Sequence, residues 1–270
     1  MKKNTMTLMA AGVCAAVVAQ VANADMVAQW DFQTTTNGGT AAVASPATGV
    51  ANTTPKVYVA NFGLGTLYLD GTNYSSNFYL PATAGTNAEI SAFGGTALNA
   101  TGSMSTTTTS PSALAILGGF TGGSPATTAA NGKAMVFKFS MTNLQDLIIS
   151  FASQRTSTGF TGIAIDTSAN GTSWSSWTTL TSAYTAGTPN VYSGAIKDSF
   201  VNTGVVSLSA TASLNNASTA YVRFTFTGAT SSSGNNRLDN FQFNATAIPA
   251  PGAVALIGLA GMVGSRRRRN

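Results

Sequence analysis

Few side chains in this 270-residue chain can act as acids, bases, nucleophiles or metal ligands. Histidine is absent, and the single cysteine, Cys14, sits in an apolar run near the start. Ser-His-Asp and Cys-His nucleophile systems therefore cannot be assembled, and the usual zinc sites lack their nitrogen and sulfur ligands. Acid-base work is left to Glu89 and seven aspartates: Asp25, Asp31, Asp70, Asp146, Asp166, Asp198 and Asp239. Glycoside hydrolysis needs two carboxylates about 5 to 10 Å apart across the scissile bond. These acids fall mostly in turns or at strand ends, so no catalytic activity is expected, and a secreted glycoside-active enzyme is the weakest of the readings.

Three local patterns suit binding better than catalysis. The first, Asp166-Thr167-Ser168-Ala169-Asn170-Gly171, has oxygen ligands at alternate positions and a glycine, like the front of a calcium loop. Its twelfth position is Trp177, where a bidentate Glu is needed, so the segment reads as a β-hairpin whose Asn170-Gly171 pair supplies positive φ. The second is Arg237-Leu238-Asp239-Asn240, ahead of the alternating Phe241 and Phe243. Arg237, Asp239 and Asn240 offer a sugar diol or a calcium ion suitable donors and acceptors. The competing structural role is an ion pair of Asp239 with an arginine such as Arg155, closing the sheet edge. The third is aromatic: Trp174 and Trp177, with Tyr184 and Tyr192 beyond, could stack on pyranose rings. Trp174 and Trp177 are three apart, so in one strand they face opposite sides and one belongs to the core.

Strands must position these residues. Met135, Phe137 and Phe139 alternate with Val136, Lys138 and Ser140, and Val222, Phe224 and Phe226 alternate with Tyr221, Arg223 and Thr225. A period of two marks half-buried strands. Shorter runs predict strands at 27–32, 56–61, 66–70, 88–93, 113–117, 147–152, 162–166, 173–180 and 205–209, separated by Gly, Ser, Thr, Asn and Pro clusters. No part of the body carries a capped amphipathic helix. The pattern predicts an all-β body, a single antiparallel β-sandwich of jelly-roll-like type at 25–246, with long loops at 34–54 and 96–131. The Arg-x-Asp-Asn motif before a final alternating strand resembles the closing strand of secreted jelly-roll domains, carbohydrate-binding ones among them.

Both chain ends read as address signals. Lys2 and Lys3 precede an uncharged, mostly apolar run from Met6 to Ala19, and Ala22-Asn23-Ala24 places small residues for cleavage. This is a secretory signal at 1–24, expected to form a helix and to leave Asp25 as the mature start. The tail at 247–270 carries Pro249-Ala250-Pro251-Gly252, an apolar stretch, then Arg266, Arg267, Arg268 and Arg269. As a helix, 248–264 would span roughly 25 Å, a marginal crossing of a ~30 Å hydrocarbon core. The arginines hold the far end on the cytoplasmic side. Pro249 and Pro251 keep the preceding backbone extended and open to a processing enzyme.

This tail resembles the PEP-CTERM sorting domain, with Ala250 standing where the family carries Glu. The resemblance implies export through the secretion translocon, cleavage by signal peptidase, and processing by an exosortase-like membrane enzyme in a bacterium that makes extracellular polysaccharide. It also implies a cell-surface or matrix location after transient anchoring.

The formal charge of +5 includes six cations at the two ends, so removing them leaves the body at about −1. Its seven remaining cations are scattered, which excludes the basic footprint that nucleic-acid binding requires. Without thiols the body depends on a sizeable core, which a chain of about 220 residues can supply. The expected function is a non-catalytic surface or matrix protein sorted by an exosortase-type system. The alternative is a lectin-like carbohydrate-binding module in the same place. No cofactor is required on either reading, calcium at Asp239 and Asn240 being the one candidate. Intact-mass measurement of protein from its native envelope is expected to find Asp25 at the start and a terminus near Pro249; a full-length species there would count against both signals.

Overall fold

Alternating apolar residues pair into two antiparallel sheets in the computed structural model, which describes residues 24–32, 56–80, 88–101, 104, 113–121, 124–125, 129–181 and 205–249. The strands are β1 (Ala24–Trp30), β2 (Val57–Val59), β3 (Phe62–Gly63), β4 (Gly65–Tyr68), β5 (Ile90–Phe93), β6 (Ala113–Leu117), β7 (Phe120–Thr121) and β8 (Ser124–Pro125). They continue as β9 (Ala134–Phe139), β10 (Leu144–Arg155), β11 (Gly162–Ser168), β12 (Ser175–Thr181), β13 (Val205–Ser207), β14 (Ala220–Thr227) and β15 (Asn235–Ala247). Every run expected to be a strand contains one. No helix occurs among the described residues, and so none there is long and apolar enough to cross a membrane. The expected signal segment, apart from Ala24, and the sorting tail beyond Pro249 lie outside the described residues.

The first sheet is built around β15. Along one edge β15 pairs with β10, which carries β13 on its far side. The other edge is shared: β6, followed by β5, covers Asn235 to Leu238, while β1, followed by β3, covers Phe241 to Thr246. The second sheet runs β12-β11-β14-β9-β4-β2, and β7 and β8 form a separate small pair. Several successive strands change sheet, as β9 to β10 and β14 to β15 do, and inward residues of both sheets share one core. The observed architecture is a β-sandwich.

Between the sheets lies an aromatic core. Phe137 of β9 meets Trp30 of β1 at 4.9 Å, Phe243 of β15 at 4.9 Å, Phe241 at 5.0 Å and Phe224 of β14 at 5.5 Å between ring centroids. These rings are fully buried, as are Phe32, Phe151, Phe160 and Phe226. Burying each contributes on the order of 1.5–3 kcal/mol. The indole of Trp30 donates from Nε1 to the Tyr58 carbonyl at 3.0 Å, so its only polar atom is satisfied inside the core.

Strand β15 does not keep one phase. Asn236 and Leu238 face inward at its start, but Phe241, Phe243 and Ala245 face inward afterwards. From Leu147 onward the partner β10 keeps its own phase, with Leu147, Ile149 and Phe151 all inward. Three residues of β10, Ser150 to Ala152, therefore span four of β15, Gln242 to Asp239. This is a β-bulge, and Asn240 absorbs it at φ +50°, a left-handed conformation that Asn tolerates better than most residues.

Phe137→Ala is expected to lower unfolding free energy by about 3–5 kcal/mol, read as a shift of the urea midpoint at unchanged slope. At the bulge, Asn240→Gly keeps the backbone conformation but loses the amide's bonds, whereas Asn240→Val loses both. The same measurement is expected to rank valine as the more damaging by about 1–2 kcal/mol.

Candidate functional site

The outer face of the second sheet gathers the aromatic and charged side chains that the inner face rejects. Asp166 of β11, Arg223 of β14 and Val136 of β9 are cross-strand neighbours, as are Tyr221 of β14, Lys138 of β9 and Thr66 of β4. Arg223 donates to Asp166 Oδ2 from Nε at 3.1 Å and from its terminal nitrogen at 2.8 Å. The same guanidinium lies 4.1 Å over the Trp174 ring. Fixing the planar cation with a carboxylate holds it flat against the indole, where ring and cation attract.

Tyr74 completes this cluster. Its ring stands edge-on to Trp174 at 6.4 Å and to Tyr221 at 5.6 Å, and it is 48% exposed. Beneath it lies Gly171 at φ +77°, where a Cβ would come within 1.9 Å of the tyrosine ring. The glycine thus serves both the hairpin turn and the seating of Tyr74. Lys138 Nζ sits 5.7 Å over Tyr221 and donates to Asn73 Oδ1 at 3.2 Å. Lys138 also lines a shallow groove of about 360 Å³ with Tyr68, Thr66, Leu64 and Val59, so rings and groove form a continuous surface across the strands.

The hairpin itself resolves the calcium-loop question. Strands β11 and β12 pair from Gly162↔Thr181 to Thr167↔Ser175. Ser168 Oγ accepts from the Gly171 amide at 2.8 Å, and Asn170 Oδ1 accepts from the Thr172 and Ser173 amides at 2.9 Å each. These oxygens close the turn, and Asp166 is engaged with Arg223. Trp174 lies in this turn, ahead of β12, and joins the outer cluster. Trp177 packs against the margin of the core and donates from Nε1 to the Ser209 carbonyl at 3.2 Å. Tyr184 and Tyr192 fall outside the described residues.

The Arg237, Asp239 and Asn240 constellation is buried rather than offered at a surface. Arg237 is 6% exposed, stacks 4.1 Å over Phe93 and donates to Gln154 Oε1 at 3.1 Å. Asp239 and Asn240 sit where β15 is covered by neither β6 nor β1, and residues 96–99 fill that gap. Thr96 N donates to Asp239 Oδ2 at 3.0 Å, while Asn240 Nδ2 donates to the carbonyls of Thr96 at 2.7 Å and Leu98 at 2.9 Å. Asn99 Nδ2 donates back to the Asn240 carbonyl at 2.7 Å, and Gln242 Nε2 donates to the Asn99 carbonyl. The expected pairing of Asp239 with Arg155 is not what the fold makes. Register sets Arg155 opposite Asn236, and its guanidinium donates to the carbonyls of Ser157 and Gly159. Burial pushes the Asp239 carboxyl well above the usual carboxylate range, against the lowering effect of the Thr96 and Asn240 amides.

Tyr74, Tyr221 and Arg223 were not singled out by sequence reasoning as site residues. The only hint was that Tyr221 and Arg223 occupy the polar phase of a strand, where an aromatic is left facing outward.

No family model matches the chain, and no curated protein matches it. Solved structures do. The K1 cleaved adhesin domain of Lys-gingipain from Porphyromonas gingivalis W83 is 13% identical, with 58% of this chain and 84% of that chain covered at a TM-score of 0.34. A carbohydrate-binding module, TmCBM61, in complex with β-1,4-galactotriose is 8% identical, with 51% and 72% covered at 0.26. CBM28, a module specific for non-crystalline cellulose, is 13% identical, with 49% and 74% covered at 0.26.

Proposed function

We propose that this chain is an exported, non-catalytic, jelly-roll-like module that holds polysaccharide on the outer face of its second sheet. The observation that carries this reading is the cluster of Tyr74, Trp174 and Tyr221 around the Arg223–Asp166 pair. Half-exposed Tyr74 presents a ring to stack on a pyranose face, and Arg223, Asp166 and Lys138 stand close enough to bond its hydroxyls. The adjoining groove toward Tyr68 and Leu64 gives an extended polymer room to continue. A body of nearly balanced charge suits a neutral glycan better than a polyanion.

On this reading the two address signals deliver the module to the cell surface or matrix, through a translocon, signal peptidase and an exosortase-like enzyme. Four of the eight acids are buried or held in ion pairs. Glu89 is buried against Lys133 and the Tyr79 amide, Asp166 is held by Arg223, and Asp31 and Asp239 are fully buried.

A polysaccharide array probed with the protein is expected to show retention on at least one neutral glucan or galactan. Tyr74→Ala and Trp174→Ala are each expected to weaken that binding about tenfold, roughly 1.4 kcal/mol, with little change in melting temperature. Silence across the array, or variants that bind like the parent, would reject the reading.

A further inference from the structure

Both sheets end on one short ribbon. Strand β2 is the edge of the second sheet and β3 an edge of the first, with only Ala60 and Asn61 between them. Of the five large apolar side chains exposed among the described residues, four lie here: Val57, Val59, Phe62 and Leu64. Val59 is 54% exposed and Leu64 88%.

The backbone of β2 is only half used. Val57 pairs with Tyr68, Tyr58 with Leu67 and Val59 with Thr66. Bonds flanking this pairing come from even-numbered residues: Leu69 N donates to the Lys56 carbonyl at 2.7 Å, and Ala60 N donates to the Gly65 carbonyl at 2.9 Å. An antiparallel ladder bonds alternate residues, so Val57 and Val59 turn their N–H and C=O groups to the open edge. No strand among the described residues pairs with them there. Their side chains stand on the outer face, since Tyr58 between them is inward and fully buried. Edge strands are ordinarily blunted by charge, proline or a bulge. None of these falls within Val57–Val59, and the adjoining Lys56 donates to Asn77 Oδ1 at 2.8 Å.

We propose that β2 is a self-association edge, pairing antiparallel with β2 of a second copy across a two-fold axis at Tyr58. That register sets Val57 of each copy opposite Val59 of the other. These are the residues whose backbone groups are open, so every outward N–H meets an outward C=O. The strand is thus its own complement, and its uncharged outer face brings no like charges together. Pairing joins two six-stranded sheets edge to edge and leaves their outer faces open. Glycan binding is not required for it. Three paired residues and the Leu64 turn fall well short of the roughly 800 Å² per partner of a standard stable interface, so the dimer is weak and forms where copies are crowded.

Sedimentation equilibrium of the full-length protein, up to about 1 mM, is expected to show monomer and dimer with a Kd on the order of 0.1 mM. A first double variant, Val57→Lys with Val59→Lys, places like charges directly opposite and is expected to raise that Kd about tenfold or more. A second, Val57→Glu with Val59→Lys, carries as much charge but sets opposite signs across the axis. It is expected to dimerise within about threefold of the parent. Association through any other part of the chain would respond to neither. A parent that stays monomeric overturns the proposal, as do assemblies larger than a dimer. So does a first variant that dimerises like the parent, or a second as weak as the first. Should the first variant fail to fold, Val59→Pro takes its place, because it removes an outward N–H and leaves the bonds to β4 intact; a dimer as tight as the parent's would then overturn the proposal.

Discussion

A single extra residue in the central strand governs this fold. At Asn240, β15 slips by one position against β10. Because side chains alternate with a period of two, the slip exchanges inward and outward faces from that point on. Without it, either Leu238 or the pair Phe241 and Phe243 would be turned out of the core. The bulge also marks where β6 ends and β1 begins along the same edge, so β15 ties two otherwise separate ribbons into one sheet. Its polar groups are then satisfied by the 96–99 segment instead of a neighbouring strand.

Stability comes from the aromatic layer, since the body has no thiol for a disulfide and few charges. The ion pairs found among the described residues, Lys133–Glu89 and Arg223–Asp166, are partly shielded from water. Each also holds something beyond itself. Glu89 accepts from the Tyr79 amide and fixes the entry to β5, and Arg223 stays flat on Trp174. Charge is used here to position neighbours more than to add free energy, as expected where exposed pairs contribute about 1 kcal/mol or less.

The two outer faces have separate tasks. On the second sheet, half-exposed Tyr74 stands beside partly buried Trp174, buried Tyr221 and the Arg223–Asp166 pair. On the first, Asp239, Asn240 and Gln242 are covered by residues 96–99. The difference follows from strand order: the second sheet is continuous from β12 to β2, while the first has a gap that something must fill.

Local alternation determined the strands. Phe137, Phe224 and Phe243 announce their inward face within a few residues, and Asn170-Gly171 announces its turn, because both signals are short-range. The absence of histidine and of a body thiol likewise ruled out whole chemistries before any coordinates. The motif Arg237-Leu238-Asp239-Asn240-Phe241 carried a readable clue in the three-residue step from Leu238 to Phe241, which breaks a period of two. What covers that break, and whether Asp239 meets Arg155 or the Thr96 amide, required tertiary structure. So did the choice between Trp174 and Trp177, and the meeting of Tyr74 with Tyr221 from 147 residues away in sequence. Register and loop placement are settled by packing between distant segments, and a one-dimensional pattern holds no information on which partner wins.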